Sequence, residues 1–171
     1  MLLRPLQATD NAAIAAVIRT VSAEFGLAPS AGFAVADATL DDLYGVYGHE
    51  AAAYWVVENE AGAVVGGGGV APLQGAPEIL EIQKMYFLPE ARGQGLAKSI
   101  LLLCFAFGEH QGKTAFYLET TANLKQAVGL YEAMGFEYLH TPLGNTGHSA
   151  AREIYMHKQI QATQTKLSKA A

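Results

Sequence analysis

Residues 85–98 read MYFLPEARGQGLAK, and this stretch is the most informative about the fold. An extended run ends at Pro89, a loop with glycines at positions 93 and 95 follows, and an apolar helix begins directly after it. Glycines leave room for successive backbone N–H groups to converge on one anion, and a helix N-terminus adds partial positive charge. Arg92 and Lys98 add full charges. The stretch therefore predicts a diphosphate-binding loop between a strand and a helix.

Two other phosphate motifs do not fit this loop. A P-loop requires GxxxxGK[ST], whereas Leu96 follows Gly95 here. The dinucleotide fingerprint GxGxxG opens an N-terminal βαβ unit. In this chain Lys98 stands where the third glycine would be, and the loop lies past the middle of the sequence. Both alternatives fail on local context.

The regions on either side of the loop have the periodicities of further strands and helices. Extended or alternating apolar runs predict strands at 2–6, 53–58, from 64, 78–88, 114–119, 136–140 and 153–157. Helical spacing predicts helices around 14–21, 39–44, 96–110 and 124–131, with a loop at 26–38. The order β-α-α-β-β-β-α-β-α-β-β predicts one α/β (α+β) domain over residues 1–158. Its sheet is expected to be mixed and mostly antiparallel, with helices on both faces, and residues 159–171 to form a polar tail.

Composition limits the class of protein. The chain has 171 residues, 51% of them hydrophobic, and a formal net charge of -5. Neutralisation of phosphates supplies much of nucleic-acid affinity, so the acidic balance argues against that partner. The opening MLLRPLQATD forms no signal-peptide core, no apolar run is long enough to span a membrane, and the single Cys104 suits a reducing compartment. We expect a cytoplasmic protein with no membrane or nucleic-acid partner.

Charge is divided unevenly along the chain. Between Arg19 and Lys84 there are nine acidic residues and no basic one, whereas residues 84–171 hold nine basic and six acidic residues. This division either arises by chance or predicts two ligands, an anionic one on the basic half and a cationic one on the acidic half.

The segment RGQGLA, residues 92–97, resembles the (Q/R)xxGx(G/A) signature of the GNAT superfamily of acetyl-CoA-dependent N-acetyltransferases. The preceding strand EIQKMYFLPE supports the match. So does the downstream Asn123 with YEAMGF at 131–136, which is similar to the family's NxxAxxLYxxxGF segment. The resemblance implies a splayed sheet, in which the strands at 78–88 and 114–119 diverge to hold acetyl-CoA.

The resemblance also implies an acetyl-CoA site. Backbone groups of Met85 and Phe87 would pair with the pantetheine arm like an added strand, and amides of the glycine loop would hold the diphosphate. The implied acetyl-CoA-binding residues are Met85, Tyr86, Phe87, Arg92, Gly93, Gln94, Gly95, Leu96, Ala97, Lys98 and Asn123.

The implied reaction transfers an acetyl group directly from the thioester to a primary amine. An amine with a pKa near ~10.4 must first lose a proton, which costs on the order of 4–5 kcal/mol near pH 7. A carboxylate base, acting directly or through water, lowers that barrier. Glu81 is the first candidate because a regular strand gives it the same face as Gln83 and Met85; otherwise it is a surface carboxylate. Glu119 is the second candidate base. Tyr131 is either the acid that protonates the leaving thiolate or a core tyrosine.

Two features near these residues have competing interpretations, and a third has one. Asn123 is a helix N-cap, a ligand contact or both. The four glycines at 66–69 either form a bulge or open room beside the cofactor. Gly135 is placed as a left-handed residue at the end of a helix.

The remaining reactive side chains suggest little chemistry. Cys104 lies in an apolar helix and is interpreted as packing. The five histidines show no metal spacing, so no metal site is predicted. His140 and His148 flank the loop at 141–150, which either lines the acceptor site or is only solvated.

The sequence thus predicts an N-acetyltransferase with acetyl-CoA as the acyl donor. Its acceptor is an amine of a small molecule or a protein, approached through the acidic part of the chain. The alternative is a non-catalytic acyl-CoA-binding regulatory module of the same fold. A homodimer is a family-level expectation.

Overall fold

The computed structural model of the protein describes residues 1–27, 33–144 and 154–160. The strands are β1 (Leu2–Pro5), β2 (Ala53–Glu58), β3 (Val64–Leu73), β4 (Ala76–Phe87), β5 (Ala115–Thr120), β6 (Glu137–Leu139) and β7 (Ile154–Gln159). The helices are α1 (Asn11–Glu24), α2 (Leu43–Tyr47), α3 (Leu96–His110) and α4 (Lys125–Ala133). Their order along the chain is the predicted one. Residues 28–32 of the predicted loop, the region 145–153 with His148, and residues 161–171 of the predicted tail lie outside the described residues.

The strands form one seven-stranded sheet in the order β1-β2-β3-β4-β5-β7-β6. Neighbouring strands are antiparallel except β4 and β5, which run parallel because α3 carries the chain from one to the other. The mixed, mostly antiparallel sheet expected from the sequence is therefore confirmed.

Two apolar cores, one on each face of the sheet, hold the helices. On one face α1 and α2 pack against the sheet through Ile14, Ile18, Leu43, Tyr54 and Val56. On the other face α3 and α4 pack through Leu80, Ile82, Ile100, Cys104, Phe116 and Tyr131. Burial of such apolar surface is the main driving force for this arrangement. Among the described residues, no helix is long and apolar enough to cross a membrane.

The strands β4 and β5 separate partway along their length. Within the described residues their ladder joins Ile79–Glu81 to residues 115–117, whereas β4 continues to Phe87 beside β3. The predicted divergence of these two strands is confirmed, and it leaves the second half of β4 open on one side.

A β-bulge lies in this open half of β4. Gly67 pairs with Tyr86 and Gly69 pairs with Gln83, so two residues of β4 stand opposite Gly68 alone. One of them, Lys84, has a φ of 49°, a left-handed conformation that costs a non-glycine residue about 1–2 kcal/mol. The Tyr54 hydroxyl donates to the Lys84 carbonyl at 2.8 Å and helps to hold the bulge.

After the bulge, the side chains of β4 alternate between the two faces of the sheet in the opposite order. Before it, Gln83 faces α2, where its side chain accepts a hydrogen bond from Tyr47. After it, Met85 and Phe87 pack into the α3 face, and Tyr86 packs into the α1 face. The expectation that Glu81 and Met85 share a face is therefore wrong, because the extra residue at Lys84 shifts the alternation by one.

The glycine run at 66–69 lies in β3, opposite this bulge. A Cβ at Gly67 would lie 2.7 Å from the Tyr54 ring, and a Cβ at Gly66 would collide with the Phe87 ring. The extra residue of this bulge lies in β4 and not in the glycine run, and the aromatic rings of Tyr54 and Phe87 fill the space that Gly67 and Gly66 leave.

Candidate active site

A cavity of about 870 Å³ is walled by four parts of the chain. They are the last turns of α1, the open half of β4, the glycine loop with the first turn of α3, and the segment from Asn123 through α4. The lining residues are Val21, Phe25, Met85, Tyr86, Phe87, Ala91, Arg92, Gly93, Gly95, Leu96, Ala97, Lys98, Asn123, Leu124, Lys125, Gln126, Ala127, Leu130 and Tyr131.

The structure thus brings together ten of the eleven residues that the resemblance places at acetyl-CoA, and Tyr131 with them. Gln94 is the exception, because its side-chain amide donates to the Glu90 carbonyl at 2.6 Å. Glu81 lies outside the lining of this cavity, on the other face of β4.

The glycine loop has a backbone that requires glycine. Gly93 and Gly95 have φ values of 73° and 75°, and a Cβ at either would meet no atom within 4 Å. The space above both residues is therefore open. Gly95 is the N-cap of α3, and the first helical N–H that bonds back to it is that of Ser99, at 3.0 Å.

The N–H groups of Leu96, Ala97 and Lys98 come before that first bond and have no acceptor within the helix. They adjoin the open space above the glycines, where the partial positive charge of the α3 N-terminus favours an anion. The loop therefore fits a diphosphate group.

The charges around the loop differ from those expected. Arg92 donates from both terminal nitrogens to Glu24, each at 2.6 Å, and its backbone N–H donates to the Pro89 carbonyl. The hydrogen bond from Arg92 lowers the pKa of Glu24, so the two charges offset each other. Lys98 and Lys125 are the exposed cationic side chains that line the cavity.

The end of α4 fixes the ring of Tyr131. The N–H of Gly135 donates to the Glu132 carbonyl, and the N–H of Phe136 donates to the Tyr131 carbonyl, both at 3.0 Å. This is a Schellman motif, which requires a left-handed residue, and Gly135 has a φ of 83° as predicted. The rings of Phe136 and Tyr131 pack edge to face at 5.8 Å. Tyr131 is therefore both a core residue and part of the cavity wall.

Asn123 lines the cavity without capping the helix. The N-cap of α4 is Leu124, with no side-chain hydrogen bond to the cap, and the helix begins at Lys125. The N-cap interpretation of Asn123 is therefore wrong. Asn123 is exposed and lies two residues before the start of α4, in the cavity lining.

On the other face of β4, polar side chains form a buried chain of hydrogen bonds. Glu81 is only 4% exposed and accepts from the Gln83 side-chain amide at 2.5 Å. The Gln83 side-chain oxygen in turn accepts from the Tyr47 hydroxyl at 2.6 Å. Glu81 is therefore not a surface carboxylate.

The second candidate base, Glu119, lies on the neighbouring strand β5. Its side chain is buried and accepts from the Tyr117 hydroxyl at 2.8 Å. Tyr117 is the register partner of Glu81. Burial, and then the bond to Glu119, raise the pKa of Tyr117 well above its ordinary value, so its hydroxyl stays protonated. We call Tyr47, Glu81, Gln83, Tyr117 and Glu119 the polar cluster.

The two remaining predictions about reactive side chains concern Cys104 and metals. Cys104 is fully buried in α3, and burial raises the pKa of its thiol, so the packing interpretation is confirmed. Within the described ranges, no group of three His, Cys, Asp or Glu side chains could hold a metal ion.

Sequence reasoning missed the wall contributed by α1. Val21 and Phe25 line the cavity, although they precede the glycine loop by more than sixty residues. No local sequence pattern predicts a contact over that distance. Lys125 could have been found, because it lies two residues after Asn123 in a segment that was already singled out.

The fold and the site together define the class of protein. Residues 21–136 match the acetyltransferase (GNAT) family, and the chain belongs to that family of enzymes. It is 55% identical over 147 residues to the uncharacterized N-acetyltransferase YjgM of Escherichia coli. The match covers 85% of this chain and 87% of YjgM.

Solved structures share the fold at low sequence identity. An acetyltransferase of the GNAT family from Staphylococcus aureus superposes with a TM-score of 0.78 at 15% identity, covering 92% of this chain and 98% of that one. The yncA protein of Salmonella typhimurium, solved with its cofactor acetyl-CoA, superposes with a TM-score of 0.69 at 19% identity, covering 93% of each chain.

Proposed function

We propose that the protein transfers an acetyl group from acetyl-CoA to a primary amine by direct attack on the thioester, in a cytoplasmic setting. The observation that carries the proposal is the cavity, because it joins an open diphosphate loop, the half of β4 that extends beyond its ladder with β5, and a tyrosine in one space. The relatives named above, one of them solved with acetyl-CoA, support the choice of donor.

Each wall of the cavity has a role in binding the donor. The loop N–H groups at 96–98 hold the diphosphate, while Lys98 and Lys125 add positive charge. The edge of β4 beyond its ladder with β5, at Met85 and Phe87, accepts the pantetheine arm as an added strand. A donor held in this way would have its thioester near the separation between β4 and β5.

The polar cluster prepares the acceptor. The amine arrives protonated, and Glu81 takes its proton through a water molecule, which leaves a neutral nitrogen to attack the carbonyl carbon. A carbon–nitrogen bond forms as the carbon–sulfur bond breaks. Tyr131 donates its hydroxyl proton to the leaving thiolate, and the second proton that the nitrogen gives up as the amide forms restores the phenol of Tyr131. The products are an N-acetyl compound and free CoA.

The acceptor is a cationic amine of a small molecule or a protein. The acidic stretch between Arg19 and Lys84 supports this only in part, because Glu24, Asp37, Asp41 and Glu58 are already in ion pairs. The buried carboxylates Glu81 and Glu119 support it more strongly, since they lie at the point where the sheet opens.

The test combines calorimetry of acetyl-CoA binding with release of free thiol across a panel of amines. We expect binding in the absence of amine, and thiol release that depends on at least one amine. Tight binding with no thiol release on any amine would support a non-catalytic acyl-CoA-binding module instead. Absence of CoA binding would overturn both.

A further inference from the structure

One side chain, Arg92, joins three parts of the cavity wall. Its two terminal nitrogens bond both carboxylate oxygens of Glu24, the last residue of α1, each at 2.6 Å. Its Nε donates to the Phe87 carbonyl at the end of β4, at 2.8 Å. Its guanidinium lies 5.3 Å from the centre of the Phe25 ring. The end of α1 is thereby tied to β4 and to the glycine loop.

These contacts fix the point from which the loop starts. Arg92 has an extended backbone (φ -80°, ψ 156°), and the next residue, Gly93, turns to a left-handed φ of 73°. A small rotation at Arg92 would therefore redirect every N–H group of the loop. Phe25 lines the same cavity, so the position of α1 also sets how far this wall stands from the loop.

We propose that Glu24 and Arg92 are positioning residues, a latch that holds the end of α1 against the glycine loop so that the diphosphate of CoA meets a preformed site. The inference rests on the proposed function for the identity of the ligand. Preformed geometry raises affinity because less ordering remains to be done on binding.

The opposite arrangement makes an opposite prediction. If the Arg92 side chain itself moved to the diphosphate, Glu24 would compete with the ligand for the guanidinium. Removing the Glu24 charge would then tighten CoA binding. With the latch, the same change loosens the loop and weakens binding.

The pair suits mutation because the fold depends little on it. The Glu24 and Arg92 side chains are 40% and 27% exposed, and ion pairs of such exposure add little to stability because solvent screens their charges. The same helix offers a matched control, the pair of Arg19 with Asp41, whose two bonds are 2.7 and 2.8 Å long. Both residues of the control lie outside the cavity lining.

The experiment compares Glu24→Gln, Arg92→Gln, the double variant and Asp41→Asn by calorimetry with CoA and by steady-state kinetics. We expect each single latch variant to weaken CoA affinity about five- to tenfold and to raise KM for acetyl-CoA by a larger factor than it lowers kcat. The double variant should bind CoA no more weakly than Arg92→Gln alone, because Arg92→Gln already removes the bonds to Glu24. Asp41→Asn should leave affinity unchanged. Unchanged or tighter binding by Glu24→Gln, or additive losses in the double variant, would overturn the latch.

A second readout separates the latch from the proposed function. Amide hydrogen exchange at residues 93–98 in the ligand-free protein should become faster in Glu24→Gln than in Asp41→Asn. If the wild-type protein bound no CoA, the proposed function would fail, yet this exchange would still decide the latch. Equal exchange in the two variants would overturn it.

Discussion

The two faces of β4 are built in different ways, although they are parts of one strand. On the α3 face, the donor cavity is formed by open backbone: left-handed glycines with free space above them and helix N–H groups without intrahelical acceptors. On the α1 and α2 face, the polar cluster is formed by buried side chains that bond to one another, such as Gln83 with Glu81 and Tyr47. The bulge at Lys84 is the point at which the alternation of side chains between the two faces shifts by one residue.

On the proposed function, donor binding and acceptor chemistry therefore depend on separate parts of the molecule. Backbone groups of a loop recognise a diphosphate whatever the acceptor is, whereas buried carboxylates and phenols suit one kind of acceptor. Changes in the glycine loop should therefore alter affinity for CoA, and changes in the polar cluster should alter turnover. The predictions below test that separation.

The largest effect is expected from Glu81→Gln. Loss of the base should lower kcat by about 10³-fold near pH 7 and leave CoA affinity unchanged. The deficit should shrink as the pH is raised toward 9, because more of the amine is then neutral without help. Steady-state kinetics from pH 7 to 9 measure this. Glu119→Gln is the comparison, with a loss below about tenfold; a larger loss for Glu119→Gln than for Glu81→Gln would reassign the base.

Tyr131→Phe should lower kcat by about 10²-fold, because the thiolate then leaves without a proton from the phenol. The ring contact with Phe136 is retained, so we expect the thermal midpoint of unfolding to stay unchanged. Tyr138→Phe is the matched control, since this exposed tyrosine donates only to Glu132. Full turnover by Tyr131→Phe would leave the residue a packing role alone.

Gly95→Ala should weaken CoA affinity about tenfold, since the methyl group enters the open space above the loop and the left-handed backbone costs an alanine about 1–2 kcal/mol. Gly112→Ala separates these two causes. Gly112 also has a left-handed φ, of 64°, with open space around it, but it lies after α3, away from the cavity lining. Urea unfolding should show similar losses for both variants, and calorimetry should show weaker CoA binding for Gly95→Ala only.

The smallest effect concerns the ion pair that holds the bulge. Lys84 contacts Asp37 at 2.6 Å. Burial alone would raise the pKa of Asp37, but the bonds from Lys84 and Thr39 outweigh it and lower the pKa from 3.8 to about 2. The folded pKa lies below the unfolded one, so the pair stabilises the protein above pH 3.8 and this contribution is lost as the pH falls through 2.

Asp37→Asn should therefore lower the free energy of unfolding by about 1–2 kcal/mol at pH 7. The difference from wild type should narrow between pH 4 and pH 2, as measured by urea unfolding. Asp41→Asn should show a much smaller pH-dependent difference, because the bond from Arg19 lowers the pKa of Asp41 but solvent screens this exposed pair. A gap for Asp37→Asn that stayed constant with pH would show that charge is not its cause.

Much of the fold was predictable because its signals are local. The strand Ala53–Glu58 and the helix Leu96–His110 have the predicted bounds, and the glycines at 93, 95 and 135 are left-handed. Each follows from a short apolar pattern or from a backbone conformation that glycine adopts at low cost. The conformation of the glycine loop could be predicted for the same reason.

The rest depended on contacts between distant residues. Nothing in the sequence marks Lys84 as left-handed, because a lysine adopts that conformation only where the neighbouring strands impose it. The bond from Arg92 to Glu24 joins residues 68 positions apart, and it turned an expected phosphate contact into an internal ion pair. Asn123 failed as a cap because the helix begins one residue later than its pattern indicated.

The complete burial of Cys104 has a practical consequence. A thiolate reacts with disulfide reagents, and a thiol that is buried and kept protonated does not. The folded enzyme should therefore not react with such a reagent. The reagent can then measure released CoA without a background signal from the protein. When the whole chain unfolds, the sulfur of Cys104 becomes accessible. The rate at which the reagent labels it therefore reports the rate of unfolding. One residue in the centre of α3 thus allows turnover and conformational lifetime to be followed with the same dye.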